Sequence, residues 1–263
     1  MGAEERIRIW RKNYLFFDID GTLTDRSTGE IVPSAREALT RLEENGHFVA
    51  IATGRAHYKA RKFTDANGFK NMVCCGGNGC VIDNELVENI PLDKDGCIKI
   101  IHQAEELGYG WCVALDDTKD VYMTDDKFLR QVGKRKEPTR YIIDDMLEVE
   151  KADAIYKVYV AIPKEDEEKL TTKELVGHLR FEPEYLMFQP DNKRGGIIKM
   201  MEHLNADIKD VVVFGDDYND MDMFCPEWFS IAMGNACQDL KDMASYVTDT
   251  NVNDGIKKAC EHF

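Results

Sequence analysis

Apolar positions follow two alternating rhythms over the first eighty residues. "YLFF", Tyr14 to Phe17, is a short unbroken apolar run, as in a strand covered on both faces. After Pro33 and Ser34, "SAREALTRLEENG" places Ala38, Leu39 and Leu42 at helical spacing and stops at Gly46. "HFVAIATG" reads as the next strand, "RAHYKARKFTDANG" as a helix, and "NMVCCGGNG" as a strand with a glycine-rich exit. This βαβαβ order predicts a parallel sheet covered by helices.

The rhythm changes from about Val81 to Pro190. Helical "CIKIIHQAEELG" mixes there with strand-like "WCVALDD", "VYMTD" and "AIYKVYVAI". Acidic "DDMLEVEKAD" and "PKEDEEK" read as solvated faces or loops. The first rhythm returns with "GGIIKMMEHL", "DVVVFGDD" and "YVTD". The expectation is an α/β protein whose core is formed by residues 1–80 and 191–263, with residues 81–190 inserted as an α+β domain.

Composition narrows the functional classes. The 263 residues suffice for one large or two modest domains, and 43% hydrophobic with 32% charged residues is a globular balance. A net charge of −15 argues against nucleic acid as a partner, since phosphate backbones want a basic face. It still permits a small phosphorylated substrate if a divalent metal supplies local positive charge. No apolar run reaches the length of a membrane span, so no membrane partner is expected. The N-terminal "MGAEERIRIWRKN" is charged, lacks a signal-peptide apolar segment, and puts Arg6 where a myristoylation signal needs Ser or Thr. The eight cysteines include no Cys-x-x-Cys pair; they read as reduced core residues of a cytoplasmic protein.

The polar residues that remain conspicuous fall just past the ends of predicted strands: Asp18 and Asp20, Thr53 to Arg55, Asn78 and Gly79, and Asp216 to Asp220. In an open α/β sheet that rim is where ligands bind. Leu23 stands where a calcium loop needs glycine, and neither a Gly-x-Gly-x-x-Gly turn nor a Gly-x-x-x-x-Gly-Lys cradle is present. Paired acids at a strand end are costly unless a cation or a reaction uses them. Asp18 and Asp20, taken with Asp216, Asp217, Asp220 and Asp222, therefore read as a hard oxygen site for Mg²⁺. In "IATGR", Thr53 and the following backbone N–H groups suit a phosphate oxygen, although a plain N-cap reads equally well. Lys193 in "PDNKRGG" carries little weight by itself, because lysines usually solvate a surface.

The motifs "DIDGT", "ATGR", "NG", the lysine before a glycine-led helix and "GDDYNDMDMF" resemble those of the haloacid dehalogenase-like hydrolases. More narrowly they resemble the Cof-type phosphatases with a type IIB cap. The resemblance implies a Rossmann-like core with an inserted α+β cap, and a Mg²⁺-dependent phosphatase acting on small phosphate monoesters such as sugar phosphates. It makes Asp18 the nucleophile that becomes an aspartyl phosphate. Asp20 would be the general acid/base and would bind Mg²⁺ through its backbone carbonyl. Thr53 and Gly54 would hold phosphate, with Arg55 and Asn78 beside them as substrate-binding candidates. Lys193 would offset charge on the nucleophile and phosphoryl group, Asp216 would ligate the metal, Asn219 would donate to substrate, and Asp220 would help the metal shell. Two departures stand out: Arg194 interposes where the family reads Lys-Gly, and "CCGGNGC" replaces a run ending Asn-Gly-Ala. A phosphomutase of the same fold and a non-catalytic phosphate-binding regulator remain as alternatives. In the inserted part, Arg180, Tyr185 and the "GYGW" turn are candidates for substrate contact or for structure. Neither the substrate nor the oligomeric state is written in any motif.

Overall fold

The computed structural model describes residues 12–135, 139–261 and 263, so the charged N-terminal stretch through Arg11 lies outside the described residues. Strand β1 (Tyr14–Phe17) is followed by α1 (Pro33–Glu44), β2 (Phe48–Ala52), α2 (His57–Asn67) and β3 (Met72–Cys74). Pro33 at the first helical position has its φ preset, and Ala35, Ala38, Leu39 and Leu42 form the buried stripe of α1. Next come β4 (Gly79–Ile82) and β5 (Glu85–Asn89). Asp83 and Asn84 between them take φ of 49° and 67°, the pair of positive angles that a two-residue hairpin turn requires. Asn71 fixes that turn, accepting from Asp83 N–H at 2.9 Å while its own amide donates to the Val49 carbonyl. The sequence reading starts the insertion at residue 81. Here the structure differs, because this hairpin stays in the first sheet and Asn89 begins the second unit.

The second unit holds α3 (Lys94–Glu106), β6 (Trp111–Ala114), β7 (Asp120–Met123), α4 (Lys127–Val132), β8 (Arg140–Ile143), β9 (Lys157–Val160), β10 (His178–Glu182) and β11 (Tyr185–Phe188). Its six strands run in the order β10-β11-β9-β6-β7-β8, antiparallel except for β7 beside β8. One apolar cluster joins Cys97, Ile100, Ile101 and Ala104 of α3 to Val158, Val160, Leu186 and Phe188 of the sheet. A second joins Phe128 of α4 to Cys112, Tyr159, Tyr185 and Met187. Residues Arg55–Phe63 group with this unit. Asp117 holds them: one carboxylate oxygen accepts from Tyr58 N–H at 2.9 Å, and the other lies 2.5 Å from His57 Nδ1.

The chain then returns through α5 (Lys193–His203), β12 (Val211–Gly215), β13 (Phe229–Ala232), α6 (Gln238–Met243), β14 (Tyr246–Val247) and α7 (Gly255–Cys260). This completes an eight-stranded sheet in the order β14-β13-β12-β1-β2-β3-β4-β5, parallel from β14 to β3. β1 is central, and Leu15, Phe16 and Phe17 are all fully buried, so both of its faces are covered. Phe16 packs with Ile197, Met200 and Met201 of α5 in one apolar cluster of this unit. Phe17 stacks on Phe214 of β12 with ring centroids 4.4 Å apart. The architecture is α/β, a Rossmann-like parallel sheet carrying a second α+β unit between β5 and α5.

Candidate active site

Where β1 stops, its neighbour β12 continues to hold the chain: Asp18 N–H donates to the Phe214 carbonyl at 3.1 Å. Asp18 is buried, and its Oδ1 accepts from Lys193 Nζ at 2.8 Å. Lys193 is the first residue of α5 and only 1% exposed, contrary to the solvated lysine that its sequence setting suggests. Its ammonium also donates to Asp220 Oδ1 at 2.6 Å. Glycines let the helix start come this close. Gly76 accepts from Asn192 N–H at 2.8 Å, and a Cβ on Gly77 would sit 1.9 Å from the Asn192 carbonyl oxygen. On the helix side, a Cβ on Gly196 would lie 2.4 Å from Val73 Cγ1. The interposed Arg194 leaves this seat intact. Its N–H donates to Asp222 Oδ2 at 2.8 Å and its guanidinium pairs with Glu227.

Asp216 follows β12 directly, and every one of its carboxylate oxygens is engaged. Oδ1 accepts from the fully buried Thr22 hydroxyl at 2.9 Å. Oδ2 accepts from Arg26 Nη2 at 2.7 Å and Asn235 Nδ2 at 3.3 Å. Asp220 is fully buried and ties the site together: Oδ2 accepts from the N–H groups of Asp216 and Asp217 at 2.9 and 3.2 Å, while Oδ1 faces Lys193. Asp220 and Asp217 also form a capping box on the short turn Tyr218–Met223.

Burial dominates the electrostatics. It pushes the Asp18 carboxyl up to about 8, the nearby Asp220 charge adds to this, and Lys193 opposes it. Burial also raises Asp216, to about 6, against hydrogen bonds from Arg26 and Thr22. For Lys193 burial disfavours the ammonium, but Asp18 and Asp220 outweigh it and the net shift is upward. The lysine therefore stays charged between two acids.

The structure thus brings Asp18, Lys193, Asp216 and Asp220 together. Thr53 is buried at the end of β2; its N–H donates to the Val73 carbonyl, and its own carbonyl accepts from Gly76 N–H at 3.4 Å. Asn78 closes the three-residue turn Cys75–Gly77 and is half-buried. Gly54 ends its stretch of the first unit, and Arg55 belongs to the second, where its guanidinium lies over the Phe63 ring. Asp20 is exposed on the loop after β1, and Asn219 is half-buried on the 218–223 turn. Sequence reasoning gave no role to Thr22, although it closes "DIDGT", nor to Arg26 and Asn235, whose only signal is that they are polar. In the second unit, Arg180 donates to Glu167 and to the carbonyls of Ile162 and Pro183, and Tyr185 is buried in the α4 cluster. In "GYGW", Tyr109 bonds Asp166 and Trp111 Nε1 donates to Glu105. All of these are holding the unit's own fold.

Asp18, Asp216 and Asp220 each offer a carboxylate oxygen, and these oxygens lie within 4.8 Å of one another. An all-oxygen, all-anionic donor set of this kind fits a hard divalent cation such as Mg²⁺. Among the described residues no helix is long and apolar enough to cross a membrane.

Comparison with known proteins bears on this geometry. The family model for haloacid dehalogenase-like hydrolases matches residues 15–260. The chain is 29% identical over 248 residues to YkrA of Bacillus subtilis (strain 168), covering 93% of this chain and 95% of that one. It is 28% identical over 261 residues to the pyridoxal phosphate phosphatase YbhA of Escherichia coli (strain K12), covering 91% and 94%. A solved subclass IIB sugar phosphatase superposes with a TM-score of 0.75 at 25% identity, over 96% of this chain and 99% of that one. With the paired acids, the buried lysine and the parallel-sheet rim already in place, the chain belongs to the haloacid dehalogenase-like hydrolases, and within them to the Cof-type phosphatases.

Proposed function

We propose that this phosphatase hydrolyses small phosphate monoesters, sugar phosphates and related metabolites, through an aspartyl phosphate on Asp18 with Mg²⁺ as cofactor. The observation that carries the reading is a buried carboxylate at a strand end, with one oxygen held by a buried lysine and two further acids beside it. Asp18, Asp216 and the Asp20 carbonyl would hold Mg²⁺, with Asp220 supporting that shell. When bound, the ion supplies positive charge that favours ionised Asp18 and offsets the charge of the phosphoryl group.

Phosphoryl transfer asks a protein chiefly for positioning and charge stabilisation. Lys193 fixes one Asp18 oxygen, so the other attacks phosphorus as the ester oxygen departs. Asp20 gives that oxygen a proton, then takes one from the water that cleaves the acyl phosphate, and inorganic phosphate leaves. Thr53 and the N–H groups near Gly54 bind the phosphoryl oxygens, with Arg55, Asn78 and Asn219 on the substrate side. The inserted unit acts as the cap that selects the ester, and a cytoplasmic setting suits buried thiols such as Cys80 and Cys97, which burial pushes up to about 12.

The test is phosphate release from a panel of esters, sugar phosphates and pyridoxal phosphate among them, with Mg²⁺ or with EDTA. Turnover should need Mg²⁺. Asp18→Asn should abolish both turnover and the phosphoenzyme trapped by rapid quench, whereas Asp20→Asn should still form it from an aryl phosphate. Label at a residue other than Asp18 overturns the mechanism, and transfer of phosphate to a second hydroxyl instead of water would mark a mutase.

A further inference from the structure

Asp216 receives three side-chain donors, and they differ in how firmly they are built in. Thr22, on Oδ1, is fully buried. Asn235, on Oδ2, is pinned from both ends: its amide donates to the Gly21 carbonyl at 2.9 Å and its oxygen accepts from Asn251 N–H at 3.0 Å. Asn251 is itself buried and donates to the Thr24 carbonyl at 2.8 Å. Arg26 is different. It reaches Asp216 Oδ2 at 2.7 Å and Asp217 at 3.0 Å from a surface turn, with 57% of its side chain exposed.

Gly21 makes the approach of this arginine possible. A Cβ there would stand 2.3 Å from Asp216 Oδ2 and 2.4 Å from Arg26 Nε, so the side chain lies flat on bare backbone. The φ of 96° at Gly21 is the left-handed region that glycine adopts without strain. The glycine of "DIDGT" thus serves the arginine as well as the turn.

We propose that Arg26 is a built-in competitor for the divalent cation, holding the Asp216 oxygen on which the ion draws and setting the concentration at which the site fills. The inference rests on the metal reading above. Of the two oxygens, Oδ1 is committed to a buried hydroxyl that cannot swing away. Oδ2 has the pinned Asn235 amide at a longer 3.3 Å, and its close contact, at 2.7 Å, is a guanidinium that can leave into solvent at little cost, because a half-exposed ion pair is weak. A cation arriving at Oδ2 must displace Arg26 or share the oxygen with a like charge, and both weaken its binding. Asp217, half-buried beside it, gives the guanidinium a second carboxylate to keep when Oδ2 is taken.

The experiment is calorimetric titration of the full chain with MgCl2 after EDTA treatment and desalting, for the natural protein, Arg26→Gln and Arg26→Met. Thermal melts with and without Mg²⁺ provide the second readout. Removing the guanidinium should lower the Mg²⁺ dissociation constant roughly two- to tenfold, the range expected for a partly exposed charge-assisted bond. The rise in Tm caused by a fixed Mg²⁺ concentration should grow to match. Structural damage would weaken binding, so tightening is a result that damage cannot imitate. Binding of Mg²⁺ by the variants alone would support the proposal further. If the natural protein binds Mg²⁺ and neither variant binds it more tightly, the role of Arg26 is overturned while the metal site stands. If no chain binds Mg²⁺, the metal reading falls and takes this inference with it.

Discussion

Replacing Lys193 with Met would strand two buried carboxylates, Asp18 and Asp220, that now share one ammonium. Breaking a buried pair from one side costs about 3–5 kcal/mol, and a urea midpoint at pH 8 should show a loss of that order. At pH 5 the loss should be smaller, because a protonated acid needs no counter-charge. The same logic gives a pH signature for the metal. Asp18 is raised from 3.8 to about 8 and Asp216 from 3.8 to about 6. A raised acid contributes stability that is fully present below 3.8 and is lost as pH rises through its folded value. At the proposed Mg²⁺ site protons would compete with the ion for these oxygens, so a Mg²⁺-induced rise in Tm should be small at pH 5 and grow towards pH 8. A shift that shrinks over this range would contradict the electrostatics described. Of these residues the acids were legible in the sequence, because two carboxylates after an apolar run need a reason. Arg26 was not: its partner lies 190 positions away, and no period or motif links a loop arginine to it.

Glycines at the start of α5 decide whether Lys193 can reach the acids at all. Gly77→Ala would combine a φ of 107° with a Cβ only 1.9 Å from the Asn192 oxygen. The expected cost exceeds about 2 kcal/mol, and the rate of phosphate release should fall with it as the lysine is pushed back. Gly68→Ala is the matched control, since its φ is 79° but nothing lies within 4 Å of the added methyl group. It should lose only about 1–2 kcal/mol and leave the rate unchanged. Element types were readable from rhythm wherever a strand was buried on both faces, as in β1, or a helix kept an apolar stripe, as in α1. The β4–β5 hairpin escaped because β5 is largely exposed and keeps no such rhythm. Its turn, Asp83-Asn84, was the available clue.

At the scale of the whole molecule, the change of rhythm between the α/β stretches was visible because a mixed sheet reads differently from a doubly covered parallel one. Its edges were not, since residues 55–63 join the second unit through Asp117, a contact across some sixty positions. The position of β1 in the sheet has a further consequence, which concerns time. Among the described strands β1 is made first, yet one of its two neighbours, β12, comes nearly 200 residues later, and Lys193 follows Asp18 by 175 residues. At a synthesis rate of about 5–20 residues per second, β1 waits roughly 10–40 s for them. Throughout that interval the nascent chain carries an apolar strand with one unpaired edge and an acid with no counter-ion, a species that folding helpers on the ribosome are suited to shield.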